Sequence, residues 1–244
     1  MALVPTIPDA LYIGATAVDR VYQGPEQIWP EAPTGLSGLI LSHNPLHYWM
    51  MDEASGSAAD SGSENLTLPA VGTLSYQQTI GNQVGILVDT ADYFQVQWNL
   101  PTPPFTTLFF NEPVTDRNAQ FIADVHGNIY AYMIRGVGTF GGNNSIYLST
   151  SNNGGVYVGV NDRTVPGLFV ARHTTATDTT ISYYNVNNPA GVHNTGITQA
   201  VPALTGKSLR INAIAGGSVV SNVALIPSVL TDNEVAAIWA AFEA

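Results

Sequence analysis

The chain has 244 residues, 45% hydrophobic and only 10% charged, with 18 acidic against 7 basic side chains for a formal net charge of −11. That length holds one large β-sandwich, or a small module plus one ordinary domain, and the apolar content excludes a disordered chain. The negative charge is opposite to what phosphate neutralisation requires, which excludes nucleic acid as a partner, and the absence of cysteine excludes disulfides, thiol nucleophiles and thiolate metal sites.

In chain order, residues 1–8 contain no basic side chain and are interrupted by Pro5 and Pro8, unlike a signal peptide. No apolar run reaches the roughly 18 residues of a spanning helix. The expectation is synthesis in the cytoplasm without membrane insertion. A ten-residue repeat follows, in which Tyr12, Gly14 and Val18 answer to Tyr22, Gly24 and Ile28. Each copy reads as strand, turn, strand, and the segment is expected to form a small β-meander of three strands ending at Trp29-Pro30. Such a meander cannot hide Tyr12, Tyr22, Ile28 and Trp29 by itself, so these four are the candidate docking residues, facing a partner chain or the following domain. The alternative is that the segment forms the first edge of the main sandwich. Two prolines make the next stretch read as an extended linker. The expected organisation is a docking module over 1–30, a linker over 31–38 and one domain over 39–244.

From Leu39 onward the pattern is β. Phe94, Val96 and Trp98 alternate with Tyr93, Gln95 and Gln97; Val156, Val158 and Val160 alternate with Tyr157 and Gly159; Ile181 and Tyr183 alternate with Ser182 and Tyr184. These read as half-buried strands. Runs of Gly and Asn at 141–144 and 152–155, and Asn187-Asn188-Pro189, supply the turns of an antiparallel sandwich. The exception is the C-terminus. Thr231 and Glu234 make a capping box, Leu230 and Val235 stand at the staple positions, and Val235, Ile238, Trp239 and Phe242 form one apolar stripe, so a helix is expected to dock on the sandwich as part of its core.

The stretch from Leu46 through Tyr48-Trp49, Asp52-Glu53-Ala54-Ser55-Gly56 to Ala59-Asp60-Ser61-Gly62 resembles the opening strand and first loop of laminin-G-like, concanavalin-like domains. Three further segments resemble later strands of that family: Gly85 to Val96, in which Thr90 and Ala91 replace a usual glycine, Ser182 to Asn187, and Val223 to Val235. The resemblance implies an all-β fold, a laminin-G-like jelly-roll β-sandwich with a short C-terminal helix. The segment from Ala10 to Pro30 is similar to leader repeats at the start of tailed-bacteriophage virion proteins. Together the two resemblances imply a virion protein of fibre, tail-tip or head-decoration type, which docks to other virion proteins through the leader and displays the sandwich toward a host-surface glycan. A purely structural decoration or spike-base protein is the alternative, and a carbohydrate-active enzyme the outsider. A homo-oligomer, a trimer first, is expected, with the virion as location.

No catalytic residue is nominated. Gly136 to Gly141 matches G-x-G-x-x-G, but a β run rather than a helix follows it, and Gly206-Lys207-Ser208 reads as a turn. The five histidines fall singly and make no zinc motif. A glycosidase needs two carboxylates about 5 to 9 Å apart, whereas adjacent Asp52 and Glu53 point to opposite faces of any strand. Asp52, Asp60, Asp89 and Asp92 are the candidate calcium ligands implied by the laminin-G resemblance, against a reading as solvated loop acids. Tyr130, Tyr132, Tyr147 and Tyr157 are the candidate glycan-stacking residues, against a reading as sheet surface.

Overall fold

A computed structural model describes the backbone at residues 11–13, 16–18, 21–23, 26–29, 35–113, 119–126, 129–140, 143–151, 154–159, 165–197, 204–213 and 217–244, and the side chains at 35–113, 165–194, 208–211 and 217–244. The chain divides into two compact units, Met1–Thr34 and Gly35–Ala244.

In the first unit, β1 (Leu11–Ile13) pairs with β2 (Thr16–Val18), and β3 (Val21–Gln23) pairs with β4 (Glu26–Trp29). The expected three-stranded meander is therefore corrected to two separate hairpins of two strands each. The cause is the repeat itself: each ten-residue copy carries its own turn and closes on its own partner strand.

The second unit opens with α1 (Gly35–Leu41), which buries Leu36 and Ile40. The predicted linker over 31–38 thus runs into a helix. Its sequence, Gly-Leu-Ser-Gly-Leu-Ile-Leu, has two glycines and no charged residue, and its helical state is set by what it packs against rather than by propensity.

The strands β5 (His47–Trp49), β6 (Ala70–Val71), β7 (Ser75–Ile80), β8 (Gln83–Val88), β9 (Tyr93–Leu100), β10 (Phe105–Pro113), β11 (Ala119–His126), β12 (Ile129–Phe140), β13 (Asn143–Ser151), β14 (Gly154–Gly159), β15 (Gly167–His173), β16 (Asp178–Asn185), β17 (Asn188–Ile197), β18 (Leu204–Ala213) and β19 (Ser218–Ile226) precede α2 (Asp232–Glu243). They form two antiparallel sheets. An eight-stranded sheet runs β17-β16-β15-β10-β19-β8-β7, with β5 also on β19, and a seven-stranded sheet runs β14-β13-β12-β11-β18-β9-β6. One edge of β19 is shared: Ser218 to Val220 pair with β8, and Val223 to Leu225 pair with β5. The changeover falls at Asn222, held at φ 49, a left-handed conformation that asparagine tolerates better than most residues. Tyr48 fixes it by donating its hydroxyl to Asn222 Oδ1 at 2.5 Å, and burial pushes the Tyr48 phenol up to about 12.

Two apolar clusters stabilise this unit. Between the sheets, Phe94, Trp98, Leu209 and Ile211 of one meet Phe105, Phe109, Phe169 and Val223 of the other. On the outer face of the eight-stranded sheet, Leu108, Phe110, Leu168 and Val170 meet Leu36 and Ile40 of α1 and Val235, Ile238, Trp239 and Phe242 of α2. Phe110 stacks on Phe242 with centroids 4.3 Å apart. The predicted capping box is present, with Glu234 N donating to Thr231 Oγ1 at 3.3 Å and Thr231 N to Glu234 Oε2 at 2.6 Å, and the staple residues Leu230 and Val235 are both buried.

The outer layer corrects one reading of the strands. Ile181 to Asn185 are all buried, not alternately so, and the nine residues of β19 are buried throughout, because β16 and β19 have covered faces on both sides. Gly206-Lys207-Ser208 is corrected from a turn to a part of β18, where Lys207 pairs with Trp98 and Ser208 with Gln97. Gly136 to Phe140 lie within β12, which leads into β13; there is no helix there to receive a phosphate. Among the described residues no helix is long and apolar enough to cross a membrane.

Candidate functional site

The most densely organised polar group of the sandwich is built around Asp60. The loop after β5 folds back so that Asp60 bridges Trp49 and Ala58 bridges Leu68. Asp60 Oδ1 accepts from the amides of Tyr48 and Gly62, each at 2.7 Å, while Oδ2 accepts from the Leu66 amide at 2.7 Å and pairs with His47 Nδ1 at 2.8 Å. Burial by itself would raise this carboxyl; the His47 contact and the three amides outweigh it and hold the carboxyl below the ordinary aspartate range. Gly62 is required by space, since a Cβ there would stand 2.6 Å from His47 Cα. Trp49 Nε1 donates to Leu66 O at 2.8 Å, and its ring stacks on His47 at 5.1 Å. The loop is thereby fastened as a strap against β5.

A cleft of about 240 Å³ lies between this strap and the end of β9, lined by Leu46, His47, Glu64, Leu66, Gln97, Trp98, Asn99 and Pro101. Trp98 and His47, both buried and 6.3 Å apart between centroids, form its floor. Glu64, Gln97 and Asn99 are exposed at its rim. The rim offers amide and carboxylate groups for hydroxyls, and the half-buried Leu46 and Leu66 offer apolar contact above the buried Trp98 and His47.

The residues nominated from sequence are placed as follows. Among the calcium candidates, Asp52 is exposed just beyond β5, Asp60 is inside the strap, and Asp89 and Asp92 share one turn. Asp89 Oδ1 accepts from the amides of Ala91 and Asp92 at 2.7 Å each, and Asp92 Oδ1 accepts from the Thr73 amide at 2.7 Å. Three of the four carboxylates are thus engaged in fastening loops, and no group of three or more His, Cys, Asp or Glu that could hold a metal ion occurs among the described residues. Of the glycan candidates, Tyr130 and Tyr132 lie on β12, Tyr147 on β13 and Tyr157 on β14. The register sets Tyr147 opposite Tyr157 and opposite Arg135, which puts this pair and the pair Tyr130 and Tyr132 on alternate register positions. Tyr12 lies on β1, Tyr22 on β3, and Ile28 and Trp29 on β4; their side chains, like those of the four glycan candidates, lie outside the described residues. The strap cleft was not nominated from sequence. His47 and Asp60 are thirteen positions apart, a separation no periodicity links, and Trp98 carried only a strand signal.

The fold defines a class first: an all-β sandwich of two antiparallel sheets, of jelly-roll type, with a C-terminal helix packed on the outer face of one sheet. No protein-family model and no curated protein sequence matches the chain. Among solved structures it is similar to the botulinum neurotoxin serotype D binding domain, with TM-score 0.62 and 6% identity over 81% of this chain and 52% of that one. It is also similar to the botulinum neurotoxin DC binding domain in complex with SialylT, with TM-score 0.60 and 10% identity over 82% and 51% of the two chains. A third likeness is to the serotype D/C VPI 5993 binding domain, with TM-score 0.62 and 8% identity over 83% and 53%. The chain therefore spans about half the length of these domains, and at such identities the likeness is one of fold. These findings correct the expectation of a tailed-phage virion protein of fibre, tail-tip or head-decoration type. With that expectation go virion partners, the trimer inferred from them and a location in the particle, since the folds it resembles are those of neurotoxin binding domains.

Proposed function

We propose that the Gly35–Ala244 unit is a non-catalytic receptor-binding module that takes a saccharide in the cleft between the Asp60 strap and β9. The observation that carries this reading is the likeness over more than four fifths of the chain to domains that are themselves binding domains, one of them solved with SialylT. The cleft supports it with an aromatic floor at Trp98 and exposed amides at Gln97 and Asn99. Within the jelly-roll class we read the sandwich as laminin-G-like, on the resemblance of Leu46 to Gly62 and of Val223 to Val235; the first of those segments is the strap that frames the cleft.

The test is a glycan array probed with the purified chain, followed by calorimetric titration of the saccharide that binds. The double substitution Gln97→Ala with Asn99→Ala should weaken binding about tenfold, the equivalent of one to two lost hydrogen bonds, without changing the melting temperature. Absence of binding to any saccharide, or binding indifferent to the substitution, would reject the cleft as the site.

A further inference from the structure

A second cleft, of about 340 Å³, opens on the outer face of the eight-stranded sheet beside the start of α2. It is lined by Arg172, Thr174, Thr180, His193, Val229 and Asp232. Arg172 is buried, with 7% of its surface exposed. Its Nη1 donates to Asp232 Oδ1 at 2.6 Å and to Leu230 O at 3.2 Å, and its Nη2 donates to Ser182 Oγ at 3.1 Å. Its Nε is buried without a hydrogen-bond partner among the described residues. A guanidinium carries five N–H donors in a fixed plane, and a bidentate carboxylate takes two of them at once; Asp232 supplies a single oxygen, from a side chain that is 71% exposed.

The neighbours add donors. Ser182 Oγ, which accepts from Arg172, also lies 2.8 Å from His193 Nδ1. When the serine hydroxyl donates to Nδ1, the remaining imidazole proton sits on Nε2. The His193 ring is held edge-on to Tyr184 at 5.6 Å. This closeness requires Gly191, which has φ +76, and where a Cβ would stand 2.6 Å from the Tyr184 ring and 3.0 Å from His193 Cε1. The cleft thus concentrates a buried cation and an imidazole in a chain whose net charge is −11.

We propose that this cleft is a binding site for a carboxylate group, which takes the Arg172 guanidinium in place of Asp232, with His193 and the threonines flanking it. Asp232 is then the built-in occupant that holds the buried charge when no ligand is present, and its exposure lets it swing aside at small cost. The carboxylate belongs either to a small free acid or to an acidic sugar. The site is separate from the saccharide cleft at Trp98 and stands or falls independently of it.

The experiment titrates the full chain, labelled with 15N, with acetate, methyl glucuronide and uncharged methyl glucoside, and follows the amide resonances of Thr174, Thr180 and His193. Saturable shifts with acetate and the glucuronide but not the glucoside are expected. A glucuronide affinity above that of acetate assigns the acidic sugar, and equal affinities assign the free acid. Asp232→Asn, which removes the competing carboxylate, should tighten binding about two- to fivefold. His193→Gln should weaken it, and Arg172→Met should abolish it. If Arg172→Met does not fold, the opposite signs of the other two variants carry the test. No saturable shift at these amides, an equal response to the glucoside, or weaker binding by Asp232→Asn would each overturn the proposal.

Discussion

The two apolar clusters on either face of the eight-stranded sheet share strands β8, β10, β15, β16 and β19 but differ in the polar groups they enclose. The cluster between the sheets has titratable groups sealed in or against it. His173, fully buried, packs tilted against Phe105 with ring centroids 4.5 Å apart and pairs with Thr179 Oγ1 at 2.8 Å, and the His47 and Asp60 pair closes its edge. The cluster under the helices keeps its acids at a wet margin, where Thr231 and Asp232 are exposed and Glu234 is half-buried, and the buried cation there, Arg172, is served by Asp232, Leu230 O and Ser182. The same sheet therefore supports one core that responds to protonation and one that responds mainly to packing. Solvent access at the cluster edge accounts for the difference, since a charge that keeps its water costs little and a sealed one must be fully satisfied.

The comparison can be broken most strongly by truncating one aromatic on each side. Trp239→Ala and Phe109→Ala should each cost roughly 3 to 5 kcal/mol in denaturant titration. A loss below about 1 kcal/mol for Trp239→Ala would reduce the helix layer to a peripheral attachment. Asp60→Ala should cost about 3 kcal/mol, because three buried or part-buried amides and His47 lose one shared acceptor; Asp232→Ala, the matching acid of the outer margin, should cost less, about 1 to 2 kcal/mol, because the buried Arg172 loses its carboxylate but keeps Leu230 O and Ser182 Oγ. Acidification should sharpen the contrast. Burial depresses His173 from 6.5 to about 3, so the unfolded chain binds a proton that the native state refuses, and the stability present above pH 6.5 is lost as pH falls toward 3. Between pH 6.5 and about 4.5 the loss should be about 2 kcal/mol, read from melting temperatures, and His173→Phe should flatten that curve. Asp60, also held below its ordinary range, acts in the same direction at lower pH, since the unfolded chain takes up its proton first. The smallest effect is expected from Thr231→Ala, about 1 kcal/mol through loss of the helix cap, with no change in pH dependence.

Much of this arrangement was legible in the chain. Alternation at Phe94 to Trp98 located β9, the capping box located α2 and its buried stripe, and the ten-residue repeat located two strand-turn-strand copies. These signals are local: a turn, a cap or a period of two or 3.6 is fixed by neighbours a few positions away. What escaped was decided at long range. The helix at Gly35–Leu41 has little intrinsic helical preference and forms against the outer cluster. Tyr184 and Ser182 read as one exposed side of a strand until the outer cluster takes in Tyr184 and Arg172 and His193 close on Ser182, and Gly206-Lys207-Ser208 reads as a turn until β9 pairs with it. Both clefts are of this second kind. His47 meets Asp60 across thirteen positions, and Arg172 meets Asp232 across sixty. By itself, then, the sequence determined an antiparallel β chain with a capped, docked C-terminal helix. Only the tertiary structure decided which strands are covered on both faces and which distant charges share a site, because those depend on sheet order, and the sheets pair strands far apart in the chain, as β10 with β19 and β9 with β18.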